Sequence, residues 1–201
     1  MATEIPTNRY IIFYAIVFAI TLWVFYNIPS GWFEALTAQT ATGTLTLVGQ
    51  AASWQQIDKY TTITMLGQRS VTVAIIRECT ALNVLGVMAG LILPLKASAT
   101  KRVSGVTLSG LLLFTLNIPR ILFTVYLTAY DIWPFTLIAD RSLETYHYPI
   151  SFAFGVIGVA VTVLAVSRWA TPELSETLLG IVDKTAGYVK SVIDPASQGS
   201  T

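Results

Sequence analysis

Residues 103–130 read VSGVTLSGLLLFTLNIPRILFTVYLTAY, an apolar run with one charged residue, Arg120, inside it. Crossing a hydrocarbon core of about 30 Å takes about 20 helical residues, so the run exceeds one membrane thickness. An arginine at membrane depth is costly and is a candidate for function by default. Arg120 follows Arg102 by eighteen residues. At about 1.5 Å per residue the two are about 27 Å apart, which places Arg120 near the membrane boundary opposite to Arg102.

Three more stretches have the same character. They are residues 10–28 (YIIFYAIVFAITLWVFYNI), 79–95 (CTALNVLGVMAGLILPL) and 147–168, which ends at Arg168. Across the 201 residues, 54% are hydrophobic and 11% charged, against about 25% charged in soluble domains. The expected fold class is therefore an all-α integral membrane protein with about four transmembrane helices. Net charge is +1, with no basic block, which argues against nucleic-acid binding. One cysteine and one histidine exclude an intramolecular disulfide and are too few for a protein-only structural zinc site. No metal and no cofactor is expected.

Positive charge sets the orientation, because short cytoplasmic loops hold the excess of Lys and Arg. The loop LKASATKR has Lys96, Lys101 and Arg102 without an acid, whereas the loop from Asp131 to Tyr146 has Asp131, Asp140 and Glu144 against Arg141. The first is expected in the cytoplasm and the second outside. Arg9 and Arg168 place both termini in the cytoplasm. A signal-peptide reading of residues 10–28 would need a shorter apolar core and a small-residue cleavage site. NIPSG is a poor one, so a retained anchor is expected.

Residues 29–78 form the expected extracytoplasmic segment. Within it, GWFEALTAQTATGTLTLVGQAAS (31–53) is apolar but rich in Thr, Gln and Ala, and reads as an outer-face interfacial helix or a shallow re-entrant segment. Residues 60–76 alternate around Gly67, which predicts a short extracytoplasmic hairpin. After Arg168, residues 170–193 carry apolar residues at helical spacing behind Thr171 as N-cap and Pro172, which predicts a cytoplasmic amphipathic helix on the membrane interface or docked on the loops. Residues 194–201 read as a disordered tail.

This topology brings Cys79, Arg120 and His147 to one depth on the outer face. A thiolate attacks a carbonyl where a thiol does not, and a nearby cation favours the thiolate. The expected roles are Cys79 as nucleophile, His147 as general base and then acid, and Arg120 as a fixed cation for the thiolate or the oxyanion. Each residue also has an ordinary reading: a small core hydrophobe, an interfacial ring, a snorkelling cation. Their meeting at one depth favours the chemical reading. Glu144, three residues before His147, is a candidate to orient the ring. Ala81, Asn83 and Trp133 are candidates to line a groove beside these residues. A cysteine protease that hydrolyses without transfer stays open, as does a non-catalytic adaptor or transporter, although no repeat of the kind that transporters carry is visible.

Glu78–Leu82 reads ECTAL, Asn117–Ile121 reads NIPRI and Tyr146–Pro149 reads YHYP. These blocks resemble the three signature blocks of the exosortase and archaeosortase family over about residues 60–169. There a Cys-Ser/Thr-Gly/Ala block opens one membrane helix, an Asn-x-x-Arg block lies on the next, and a histidine, or arginine in some archaeal members, opens the last. The resemblance implies catalytic Cys79, Arg120 and His147 with Asn117 in support. It also implies a transpeptidase for secreted proteins that end in a sorting signal, made of a short motif, a transmembrane helix and a basic end. The new C-terminus would pass to an acceptor such as a lipid. The chain departs from the larger bacterial members in lacking their extra N-terminal spans, which leaves the substrate subfamily open.

Overall fold

A computed structural model describes residues 7–132 and 143–193. In chain order its elements are α1 (Asn8–Asn27), α2 (Gly31–Leu47), β1 (Ala51–Ile57), β2 (Tyr60–Leu66), β3 (Ser70–Ile75), a single 3₁₀ turn (Arg77–Cys79), α3 (Leu82–Ile92), α4 (Ala99–Tyr130), α5 (Leu143–Trp169) and α6 (Glu173–Ile193). Most described residues are helical. Three helices, α1, α4 and α5, are long and apolar enough to cross a membrane, and α3 is a shorter apolar helix. Ile12, Phe13, Ile16, Ile20 and Trp23 of α1 are all exposed, as lipid-facing side chains must be when the solvent is hydrocarbon.

The packing gives each segment a direction. Tyr10 and Tyr14 donate from their hydroxyls to the carbonyls of Pro94 and Leu91. At the other end of α1, Arg77 donates to the Ile28 carbonyl at 2.8 Å. The segment from Arg77 to Lys96 thus runs antiparallel to α1 over its whole length, though only eleven of its residues are α-helical. Eleven residues rise about 16 Å, half a membrane. The expected continuous helix over 79–95 is therefore corrected to a short helix with irregular ends. Those ends survive because they are packed against α1 and α4. Gly86 and Gly90 permit the approach: a Cβ there would stand 2.8 Å and 2.7 Å from side-chain carbons of Phe25 and Phe18.

α4 starts beside the end of α3, where Arg102 donates to the Leu93 carbonyl at 2.9 Å, and returns parallel to α1. α5 packs antiparallel along α4. α4 has 32 residues, about 48 Å, so its last turns extend past the level of Arg120. α2 and the sheet cover that extension: Ala38, Ala41, Leu45, Ile63, Met65, Ile121, Val125 and Ala129 form one buried core. Arg69 ties the β2–β3 turn to the same end, its Nε donating to the Thr128 carbonyl and its backbone N–H to the Ala129 carbonyl at 3.1 Å. A second core joins Tyr14, Met88, Ile92, Leu113, Val166 and Leu174 at the opposite end.

Three further expectations change. The hairpin is a three-stranded antiparallel sheet, β1-β2-β3, so the chain is not wholly α. Ala51 pairs with Leu66, Trp54 with Ile63 and Ile57 with Tyr60. The segment 31–53 divides into α2 and the start of β1, with Gly49 at φ 81° in the turn between them. Thr171 does not cap α6 through its side chain: its hydroxyl is buried without a hydrogen-bond partner, while its carbonyl accepts from Leu174 N–H at 3.0 Å. The start of α6 is docked, with Leu174 buried and Glu173 paired with Lys101 at 2.6 Å, while Leu179 and Val182 are exposed. The tail 194–201 lies outside the described residues, as do Trp133, Asp140 and Arg141.

Candidate functional site

Cys79 is the last residue of the 3₁₀ turn between β3 and α3. A three-residue turn has little backbone bonding of its own, and neighbours on both flanks hold it. Within the turn, Cys79 N–H donates to the Ile76 carbonyl at 2.8 Å, and the Thr80 hydroxyl donates to the Arg77 carbonyl at 2.6 Å. Leu82 N–H then donates to the Thr80 hydroxyl at 3.3 Å, which satisfies an otherwise unpaired N–H at the start of α3. From α4, Asn117 Nδ2 donates to the Cys79 carbonyl at 2.8 Å, and Arg120 Nη2 donates to the Glu78 carbonyl at 3.3 Å. Asn117 and Arg120 are three apart, so one helical face presents both. The thiol has the Ala74 carbonyl of β3 3.9 Å from Sγ.

Cys79, Arg120 and His147 line one cavity with Val73, Ile75, Ile121, Thr124 and Val125. Its free volume is about 20 Å³, room for little more than one water. The Arg120 Nε in this wall is buried without a hydrogen-bond partner. An unpaired buried donor is expensive in a stable structure, so the guanidinium keeps unused donor capacity. Arg120 also borders a groove of about 270 Å³ between α3, α4 and α5, whose wall includes Ala81, Asn83, Leu116, Asn117, Phe154 and Gly158. One cation therefore joins a tight reaction-sized space to a longer apolar trough.

His147 lies in the second turn of α5. The neighbouring Tyr146 is fully buried and donates to Asp131 Oδ1 at the end of α4, which fixes where α5 begins. Ser151, one turn on, has its hydroxyl 3.4 Å from His147 Nδ1 and 3.5 Å from Nε2. These distances are long for hydrogen bonds, so the hydroxyl lies across the ring and not in line with either nitrogen. Glu144 is exposed, and the hydrogen-bond contact of the ring among the described residues is with Ser151. Sequence reading passed over Ser151 and Arg77. The i,i+4 spacing from His147 could have flagged the first, and an arginine at the edge of an apolar run the second. Among the described residues no cluster of His, Cys, Asp and Glu could hold a metal.

No curated protein and no solved structure matched the chain. A family model described as transmembrane exosortase matches residues 7–132. The matched range runs from α1 through the sheet, the Cys79 turn and all of α4, and stops short of His147. It covers more than half of the 201 residues and includes both the cysteine turn and the α4 face that grips it, so the chain belongs to the transmembrane exosortase family.

Proposed function

We propose that this membrane protein is a cysteine transpeptidase that cleaves a C-terminal sorting signal of secreted proteins and passes the new C-terminus to an acceptor, such as a lipid. The observation that supports it most is the shared cavity of Cys79, Arg120 and His147. His147 takes the Cys79 proton, and the thiolate attacks the scissile carbonyl. The tetrahedral oxyanion sits against the Arg120 guanidinium, a fixed charge in a site with little water. When the intermediate collapses, the C–N bond breaks, the amine leaves with the proton held by His147, and a thioester remains on Cys79. The acceptor then gives its proton to His147, attacks the thioester and releases the thiolate, which recovers the proton. Asn117 holds the Cys79 carbonyl throughout. The small cavity admits the reacting carbonyl only, so the rest of the substrate would lie along the groove that Arg120 also borders.

The membrane arrangement belongs to the same reading. α1, the segment 77–97, α4 and α5 make four crossings, with both termini in the cytoplasm and the cavity at the outer face of a prokaryotic plasma membrane. α2 and the sheet rest outside, over the extension of α4. The test is Cys79→Ser in cells: processing should stop at unchanged protein abundance, and an impermeant thiol reagent should reach Cys79 in unpermeabilised wild-type cells. Full processing by Cys79→Ser would remove the nucleophile and leave an adaptor.

A further inference from the structure

Arg77 precedes Cys79 by two residues and spreads its guanidinium over three acceptors. Nε donates to Asn83 Oδ1 at 2.8 Å, Nη1 to the Ile28 carbonyl at 2.8 Å, and Nη2 to the Phe25 carbonyl. Its Cζ also stands 5.5 Å from the centre of the Tyr26 ring, within cation–π range. Two of the three acceptors are carbonyls at the end of α1, where Ile28 is the C-cap. Carbonyls at a helix C-terminus are short of donors, though that of Phe25 also accepts from Ile28 N–H at 3.3 Å, and they form the negative end of the dipole, so a cation there is favoured. The third acceptor lies on the first turn of α3. One side chain thus ties together the outer end of α1, the cysteine turn and the start of α3.

The turn is held from the opposite side by α4, through Asn117 to the Cys79 carbonyl and Arg120 to the Glu78 carbonyl. Without Arg77 the turn's hydrogen bonds to the helices around it would be those from α4. Arg77 does not line the cavity shared by Cys79, Arg120 and His147, so any effect it has on chemistry passes through the backbone. Misplacing a nucleophile by about 1 Å costs about 10²-fold in rate. Resting on the reading of Cys79 as nucleophile, we infer that Arg77 is a positioning residue: it clamps the Cys79 turn to the end of α1 and so fixes the thiol relative to Arg120 and His147. A lysine has its three donors on a single nitrogen and no planar fork to span three separated acceptors, so it replaces only part of the clamp.

The test uses the full chain in membranes, with substrate processing and Cys79 alkylation by iodoacetamide measured in parallel. In Arg77→Gln, kcat should fall by about 10- to 100-fold with KM within about twofold, since approach geometry is lost and substrate contacts are not. The same loosening should speed alkylation of Cys79 severalfold at an unchanged unfolding temperature, whereas loss of the fold would speed it only together with a lowered one. Arg77→Lys should fall between wild type and Arg77→Gln in both readouts. Wild-type kcat and wild-type alkylation in Arg77→Gln would overturn the clamp. If that variant does not accumulate, Arg77→Lys, which keeps part of the clamp, decides. The same split at smaller size supports the clamp, and wild-type values in both readouts refute it. Full processing by Cys79→Ser would sink the nucleophile reading separately, because alkylation of Arg77→Gln reports on the turn without any turnover.

Discussion

Replacing Asn117 with alanine removes the side-chain donor that holds the Cys79 carbonyl. Asn117 is 8% exposed, and its Nδ2 stands 2.8 Å from that carbonyl oxygen. A hydrogen bond of this type contributes about 1 kcal/mol net, and leaving the buried partner unpaired costs about 1–3 kcal/mol. A loss of about 1–3 kcal/mol felt at the transition state corresponds to about 5- to 150-fold in rate, since 1.36 kcal/mol is tenfold. Asn117→Asp should be worse than Asn117→Ala, because an ionised carboxylate has no donor and sets its charge against the carbonyl oxygen. The assay is kcat and KM for substrate processing by the purified protein in nanodiscs, with thermal unfolding measured alongside. We expect kcat to fall in the order wild type, alanine, aspartate, with KM changed little. Equal activity of all three would mean that the bond between α4 and the cysteine turn plays no part in catalysis.

Two further outcomes follow from the same contacts. Arg120→Lys should lose at least about 10-fold in kcat despite keeping the charge, because an ammonium cannot bond the Glu78 carbonyl and face the cavity with a planar fork at once; near-wild-type turnover would reduce Arg120 to a membrane anchor. Glu173 is held below the usual carboxylate range, chiefly by the hydrogen bond from Lys101 at 2.6 Å. A lowered folded value means that this stabilisation is present above the ordinary glutamate value of about 4.3 and is lost as pH falls through the folded value. Both side chains are partly exposed, so the pair contributes about 0.2–1 kcal/mol. Amide protection in the first turns of α6, taken relative to the intrinsic exchange rate at each pH, should therefore fall between neutral pH and about pH 3 in wild type by more than in Glu173→Gln, and identical profiles would dismiss the pair as a lock.

Hydropathy made the long helices legible because it counts what lipid tolerates, and α1, α4 and α5 lie within a few residues of the expected spans. The same count did not show how much of residues 79–95 is regular helix. No charge interrupts that run, but a helix needs more than apolarity: the Cys79 turn, Pro94 and the bonds from Thr80 confine regular structure to Leu82–Ile92. β1 gave no signal because Ser53, Trp54, Gln55 and Gln56 are all exposed, and a strand without a buried face shows no alternation of apolar and polar residues. β2 was readable because Thr61, Ile63 and Met65 are buried, although Thr61 and Thr62 blur the pattern. At the site, the expectation that Cys79, Arg120 and His147 meet came from counting residues between charged loops, and the three line one cavity. Which groups orient them did not, because sequence spacing gave Glu144 to His147 while rotamer and packing set Ser151 against the ring. The clamp from Arg77 was hidden for a similar reason, as its acceptors are backbone carbonyls some fifty residues earlier.

The central claim is a covalent intermediate on Cys79. It is tested most directly by intact-mass and peptide-mapping analysis of enzyme quenched during processing, in wild type and in His147→Ala. Losing a general acid/base lowers turnover by about 10²- to 10⁴-fold, and if transfer to the acceptor suffers more than attack, the intermediate builds up. The expected result is a hydroxylamine-sensitive adduct on Cys79 that carries the cleaved substrate and is more abundant in His147→Ala. Cleaved substrate without any Cys79 adduct in either protein, together with unchanged processing by Cys79→Ser, would contradict it.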